Sequence, residues 1–137
     1  VAIKEAELAY TGGWFDSRGF ARVSCQKGRT PRLMVCIRTA DSGLTWLKDR
    51  WGGTSHETSG KVSPHSKILY PGYKSWVVKK LEARRFLSDV HPYLQLRGEL
   101  ALLCINFITR VVDDGERSND SLNQLVEDIR KWRVPLS

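Results

Sequence analysis

Arg22, Ser24 and Gln26 stand at alternate positions of one short stretch, and Arg32, Met34 and Arg38 at even spacings of the next. Side chains two residues apart on an extended strand project to one face, so the spacing predicts guanidinium, amide and hydroxyl groups presented together. Such groups suit the edges of bases. Arginine matches guanine, glutamine matches adenine, and a two-stranded ribbon fits the major groove of duplex DNA. Lys27 and Arg29 lie in the basic turn Lys27-Gly28-Arg29-Thr30-Pro31 between the two stretches, where phosphates are reached. Lys61, His65 and Lys67 in a later polar loop are further phosphate candidates. A solvated edge of an antiparallel sheet shows the same alternation of charge, and the pattern alone leaves both readings open.

The bulk properties agree with an anionic partner. The chain has 137 residues, 41% of them hydrophobic, and a formal net charge of +7. That length and apolar content predict a single folded domain over 1–137, and the charge favours nucleic acid first and a membrane surface second. Cys25, Cys36 and Cys104 are odd in number, widely spaced and without a CxxC pair, which predicts reduced thiols and an intracellular setting. No apolar run is long enough to span a membrane. Val1–Ala9 does not read as a signal peptide, and a start other than Met is compatible with a leader outside this stretch. His56, His65 and His91 do not cluster with Cys or acids at zinc spacing. There is no GxxxxGK[ST] phosphate loop and no local support for Ser/His/Asp catalysis.

The elements expected to position these groups alternate helix and hairpin. A first helix is expected from Ile3 to about Asp16, although it contains Gly12 and Gly13. Each glycine costs a helix about 1 kcal/mol relative to Ala. Close approach of another backbone, from a second copy or from this chain, is the usual compensation. Strands follow at Phe20–Gln26, with Ala21, Val23 and Cys25 opposite the polar set, and at Arg32–Thr39, with Leu33, Val35 and Ile37 on the apolar side. Asp41 reads as the N-cap of a second helix ending at Trp51, before Gly52-Gly53. A weaker pair of strands is expected at Thr54–Thr58 and Tyr73–Lys79, and the faces of the latter do not sort by alternation. Three helices complete the chain, at about Leu81–Val90, Tyr93 to about Val111, and Leu122–Trp132.

The order α-β-β-α-β-β-α with a glycine-bearing first helix resembles the LAGLIDADG homing endonucleases. The stretch Ala9-Tyr10-Thr11-Gly12-Gly13-Trp14-Phe15-Asp16-Ser17-Arg18-Gly19-Phe20 carries the likeness: Gly13, Asp16 and Gly19 have the spacing of the family motif, with Trp14 and Phe15 in its Leu-Ile positions. Leu33-Met34-Val35-Cys36-Ile37, the helix ending Trp51-Gly52-Gly53, and His91-Pro92-Tyr93-Leu94-Gln95-Leu96-Arg97 extend it over roughly residues 5–110. A C-terminal helical extension at about 118–133 lies outside it.

The resemblance implies an α+β fold, αββαββα, with a saddle-shaped antiparallel sheet, helices behind it and extra C-terminal helices. One motif per chain implies a homodimer joined through Gly12 and Gly13 and reading a pseudo-palindromic duplex. In the family the penultimate motif position holds the acid that binds the catalytic Mg, and here that position is Arg18. Arginine offers no lone pair to a metal but clamps phosphate well. Asp16 then reads as the motif's structural acid, and Arg97 as the basic residue near the reacting phosphate. The implied function is sequence-specific duplex DNA binding without cleavage and without a cofactor. An active nuclease holding Mg through Asp16, and a basic module that binds an acidic protein, are the alternatives.

Overall fold

Leu33, Val35 and Ile37 are all buried, and the rest of the chain is arranged around the apolar strand face they form. The computed structural model of the chain describes residues 3–26, 28–58, 61–62, 64–65, 69–70 and 73–132. Helix α1 spans Glu5–Arg18 and leads into strands β1 (Gly19–Ser24) and β2 (Arg32–Arg38). Helix α2 (Asp41–Trp51) precedes β3 (Thr54–Thr58), two short paired strands β4 (Lys61–Val62) and β5 (Leu69–Tyr70), and β6 (Tyr73–Lys79). Helices α3 (Lys80–Val90), α4 (Gly98–Ile108) and α5 (Asp120–Arg130) complete the order.

Four strands form one antiparallel sheet in the order β1-β2-β6-β3. The hairpin register sets Ala21 opposite Val35 and Val35 opposite Val78, so one row of small apolar side chains crosses three strands and faces the helices. Phe86 of α3 is the hub behind that face, with its ring 4.8 Å from Trp76, 5.0 Å from Trp51 and 5.8 Å from Phe15 between centroids. Gly19 lies where α1 turns into β1, directly against the Phe15 ring, and any side chain there would collide with it. The expected α+β class is observed, and the helices and the four sheet strands follow the expected order; the loop expected between Thr58 and Tyr73 also contains the short strands β4 and β5.

Several element boundaries differ from expectation for local reasons. Helix α1 begins and ends two residues later than expected, so Arg18 is its last residue. The N-cap of α2 is Ala40 rather than Asp41, whose carboxylate accepts a 2.7 Å hydrogen bond from the Lys74 ammonium instead. The long helix expected from Tyr93 is interrupted. His91–Tyr93 make one tight turn, residues 94–97 are irregular, and α4 starts only at Gly98. Its last turn widens into a π-type turn at Thr109–Asp113. Helix α5 starts at Asp120, where the Asn119 side chain accepts the Leu122 amide at 2.8 Å. Its apolar residues Leu122, Leu125, Val126 and Ile129 join the same core as the sheet. No helix among the described residues is long and apolar enough to cross a membrane.

Candidate nucleic-acid interface

The face of the sheet turned away from the helices carries most of the polar side chains singled out from the sequence. Cross-strand register arranges them in rows. Ser24 lies opposite Arg32, and Arg22 opposite Met34, which lies opposite Lys79. Phe20, Cys36, Val77 and Thr54 make the next row, and Arg38, Ser75 and His56 the one after it. The Arg22 guanidinium donates to the Tyr73 hydroxyl at 3.2 Å and lies 5.7 Å from the Phe20 ring centroid. The Arg38 guanidinium lies 4.1 Å from the Tyr73 ring centroid and 5.7 Å from that of Phe20. The Arg38 Nε and the Ser75 hydroxyl are buried without a hydrogen-bond partner among the described residues, which costs free energy.

Arg22, Ser24, Arg32, Met34 and Arg38 thus share one face, as expected. Gln26 is exposed just beyond the end of β1, and Arg29 is exposed in the turn. Lys27 and Lys67 lie outside the described residues, and of Lys61 only the backbone position in β4 is described. Sequence reasoning missed the contribution of β6 and β3: Tyr73, Ser75, Val77, Lys79 and His56 complete the face. Strand β6 lies between two neighbours and buries Ser75, Trp76, Val77 and Val78 in succession, which erases the alternation that would reveal its faces. Lys74 points to the opposite side, where the Asp41 carboxylate holds its ammonium pKa above the usual lysine value.

At the C-terminal end of α1, Asp16 and Arg97 interlock. The Asp16 carboxylate accepts three backbone amides, from Gln95 at 2.7 Å, Leu96 at 3.1 Å and Arg97 at 2.9 Å. The Arg97 Nε donates back to the Asp16 carbonyl at 3.2 Å. Burial lowers the pKa of Arg97, and the charge of Asp16 opposes that shift. Arg18 is exposed and makes no hydrogen bond or ion pair among the described residues. These donors do not fit a divalent cation. Arg18 has only N–H groups to offer, the Asp16 oxygens are engaged by amides, and no group of three or more His, Cys, Asp or Glu among the described residues is arranged to hold a metal.

The two helix glycines have different surroundings. Gly12 is buried, and a Cβ there would lie 2.8 Å from the Cβ of Tyr93, so this glycine answers to its own chain. The intramolecular contact accounts for Gly12 without a partner helix. Gly13 is exposed, and outside its own helix backbone no atom of the described residues lies within 4 Å of the position a Cβ would take. It belongs to an outward strip of α1 with Ala6, Ala9, Tyr10 and Ser17, in which Ala6 and Gly13 each lie three or four residues from both Ala9 and Tyr10, and Ser17 lies four beyond Gly13. Tyr10 remains 64% exposed.

No protein-family profile matches the chain, and no curated protein matches it in sequence. Solved structures do match in fold. The homing endonuclease I-CvuI, in complex with the I-CreI target in the presence of Mg with the DNA not cleaved, superposes with a TM-score of 0.66 at 15% identity, over 93% of this chain and 82% of that one. The archaeal intron-encoded homing endonuclease I-Vdi141I complexed with DNA gives 0.60 at 16% identity, over 93% of this chain and 97% of that one. The LAGLIDADG meganuclease I-AabMI bound to uncleaved DNA gives 0.60 at 17% identity, over 87% of this chain and 42% of that longer chain. The chain has the fold of the LAGLIDADG homing endonucleases.

Proposed function

We propose that this chain, built on the LAGLIDADG fold, is a member of that family that binds duplex DNA sequence-specifically as a homodimer and does not cut it. The observation that carries the reading is the outward sheet face, which presents Arg22, Arg32, Arg38 and Lys79 together with a Ser75 hydroxyl that has no hydrogen-bond partner among the described residues. The solved proteins that share this fold hold DNA. Strands with this complement of donors suit a major groove, with arginine reading guanine and the turn at Arg29 reaching phosphates. Lys27, Lys61 and Lys67 add phosphate contacts in this reading.

The dimer would form through the outward strip of α1 around Gly13, which brings the two Arg18 side chains near each other. Their mutual repulsion favours the state in which phosphate lies between them. Arg97, fixed by Asp16, supplies further positive charge at the same end of α1. Cleavage on a divalent metal needs an oxygen ligand at the helix end, and the Arg18 side chain there has none. Such a protein acts inside the cell by occupying its site. Selection of bound duplexes from a random pool, followed by incubation of the winner with Mg or Mn, tests this. A defined consensus that stays intact is the expected result, with affinity falling linearly in log K against log salt. Metal-dependent cleavage by the wild-type protein would restore the nuclease reading. Binding without any consensus, and with acidic proteins equally, would favour a generic basic surface. Arg18→Glu should weaken metal-free binding by removing a phosphate contact.

A further inference from the structure

The outward sheet face is polar at its margins and apolar along one row. Phe20, Cys36 and Val77 lie side by side on β1, β2 and β6 and form a cluster separate from the main core, with Met34 packed against it. They are 2%, 2% and 6% exposed. The guanidiniums of Arg22 and Arg38 each sit 5.7 Å from the Phe20 ring centroid and cover part of that ring. An arginine that turns toward a phosphate or a guanine edge leaves that ring. A depression of about 220 Å³ already opens along the row, lined by Phe20, Met34, Cys36, Ser75, Val77 and Lys79 among others. The Ser75 side chain lines it while only 2% exposed, and its hydroxyl has no hydrogen-bond partner among the described residues. Burial pushes the Cys36 thiol up to about 12, so the row carries no charge at neutral pH.

An uncharged row of this kind can approach only one feature of a major-groove edge without loss. The major-groove amino groups, carbonyl oxygens and N7 atoms of the base pairs would be desolvated there without a partner. The C5-methyl of a pyrimidine is the single apolar group the groove displays. We propose that the Phe20–Cys36–Val77 row reads a C5-methyl group, of thymine or of 5-methylcytosine, at one base pair of each half-site. The Ser75 hydroxyl then serves the polar edge of the neighbouring pair. This rests on the sheet face being the DNA interface. It adds that specificity at one position comes from a methyl group and that cytosine methylation there is favourable.

The test uses wild-type protein and its selected duplex. Each thymine in turn is replaced by uracil, which removes only the methyl, and each cytosine by 5-methylcytosine, with affinity read by fluorescence anisotropy at fixed salt. At one position per half-site, uracil should weaken binding about fourfold, the worth of one buried methyl. Placing cytosine there should weaken it further, and 5-methylcytosine should recover the methyl's share. Val77→Thr, of nearly equal volume, should shrink the thymine-over-uracil ratio at that position alone. A clear consensus with a flat uracil scan would overturn the methyl reading and leave DNA recognition standing. Absence of any consensus would overturn both. A uracil penalty unchanged in folded Val77→Thr protein would show that the methyl is read elsewhere.

Discussion

Asp16 and Arg97 are 81 residues apart, and each holds the other's backbone. The Asp16 carboxylate accepts the Arg97 amide at 2.9 Å, and the Arg97 side chain donates to the Asp16 carbonyl at 3.2 Å. Two further amides on the same carboxylate turn residues 95–97 out of helical geometry and delay α4 to Gly98. One acid near the end of α1 therefore sets the path of the chain into α4.

Asp16→Asn should be destabilising, because an amide side chain turns an N–H toward a nest of N–H donors. A loss of about 1–3 kcal/mol in denaturant unfolding is expected, with changed amide shifts at 95–97. Unchanged stability would deny the structural role of this carboxylate and revive it as a metal ligand.

Gly12 and Gly13 should separate folding from assembly. Gly12→Ala places a Cβ 2.8 Å from that of Tyr93 and should lower the unfolding midpoint without a specific effect on self-association. Gly13→Leu meets open space in the subunit, so it should leave the subunit folded while breaking the proposed dimer. Light scattering with parallel thermal melts distinguishes them, and a wild-type protein that is monomeric at micromolar concentration would remove the dimer from the proposal.

Arg38 and Arg29 should divide base reading from phosphate contact. Arg38→Ala should relax preference at a defined base pair by roughly 1–3 kcal/mol. Arg29→Ala should weaken all sequences alike and flatten the salt dependence. Equal losses on every sequence for both variants would place base reading outside the sheet face.

Glu116 should contribute an acid-sensitive tie between the end of α4 and the start of α5. Its carboxylate accepts Arg110 Nε and Nη2, both at 2.7 Å, and Asn119 Nδ2 at 3.2 Å. The Arg110 hydrogen bonds lead in lowering its pKa from 4.5 to about 2. A carboxylate with a depressed folded pKa adds stability that is complete above the unfolded value. That stability disappears as pH falls from about 4.5 through about 2. Glu116→Gln should therefore melt below wild type at pH 7 and approach it near pH 2. A melting difference that is constant over this range would assign the tie to packing.

Features set by local periodicity were legible in the sequence. The two-residue alternation of the first hairpin placed Arg22, Arg32 and Arg38 on one face, because successive side chains of a strand point to opposite sides whatever surrounds it. The three- and four-residue spacing of Leu122, Leu125, Val126 and Ile129 likewise foretold a buried helix face. Features set by contacts between distant segments were not legible. Strand β6 is buried on both sides, so Ser75 and Val77 gave no sign of which face they join until β2 and β3 were placed beside them. Asp41 has the chemistry of a helix cap, yet it pairs with Lys74, because strand β6 brings an ammonium within reach of its carboxylate. Gly12 and Gly13 are adjacent and identical in type, and only the position of Tyr93, folded back from beyond α3, buries one and leaves the other open. Residue type and spacing determine which way a side chain points from its own element, whereas what it meets there depends on chain segments that only the folded structure brings together.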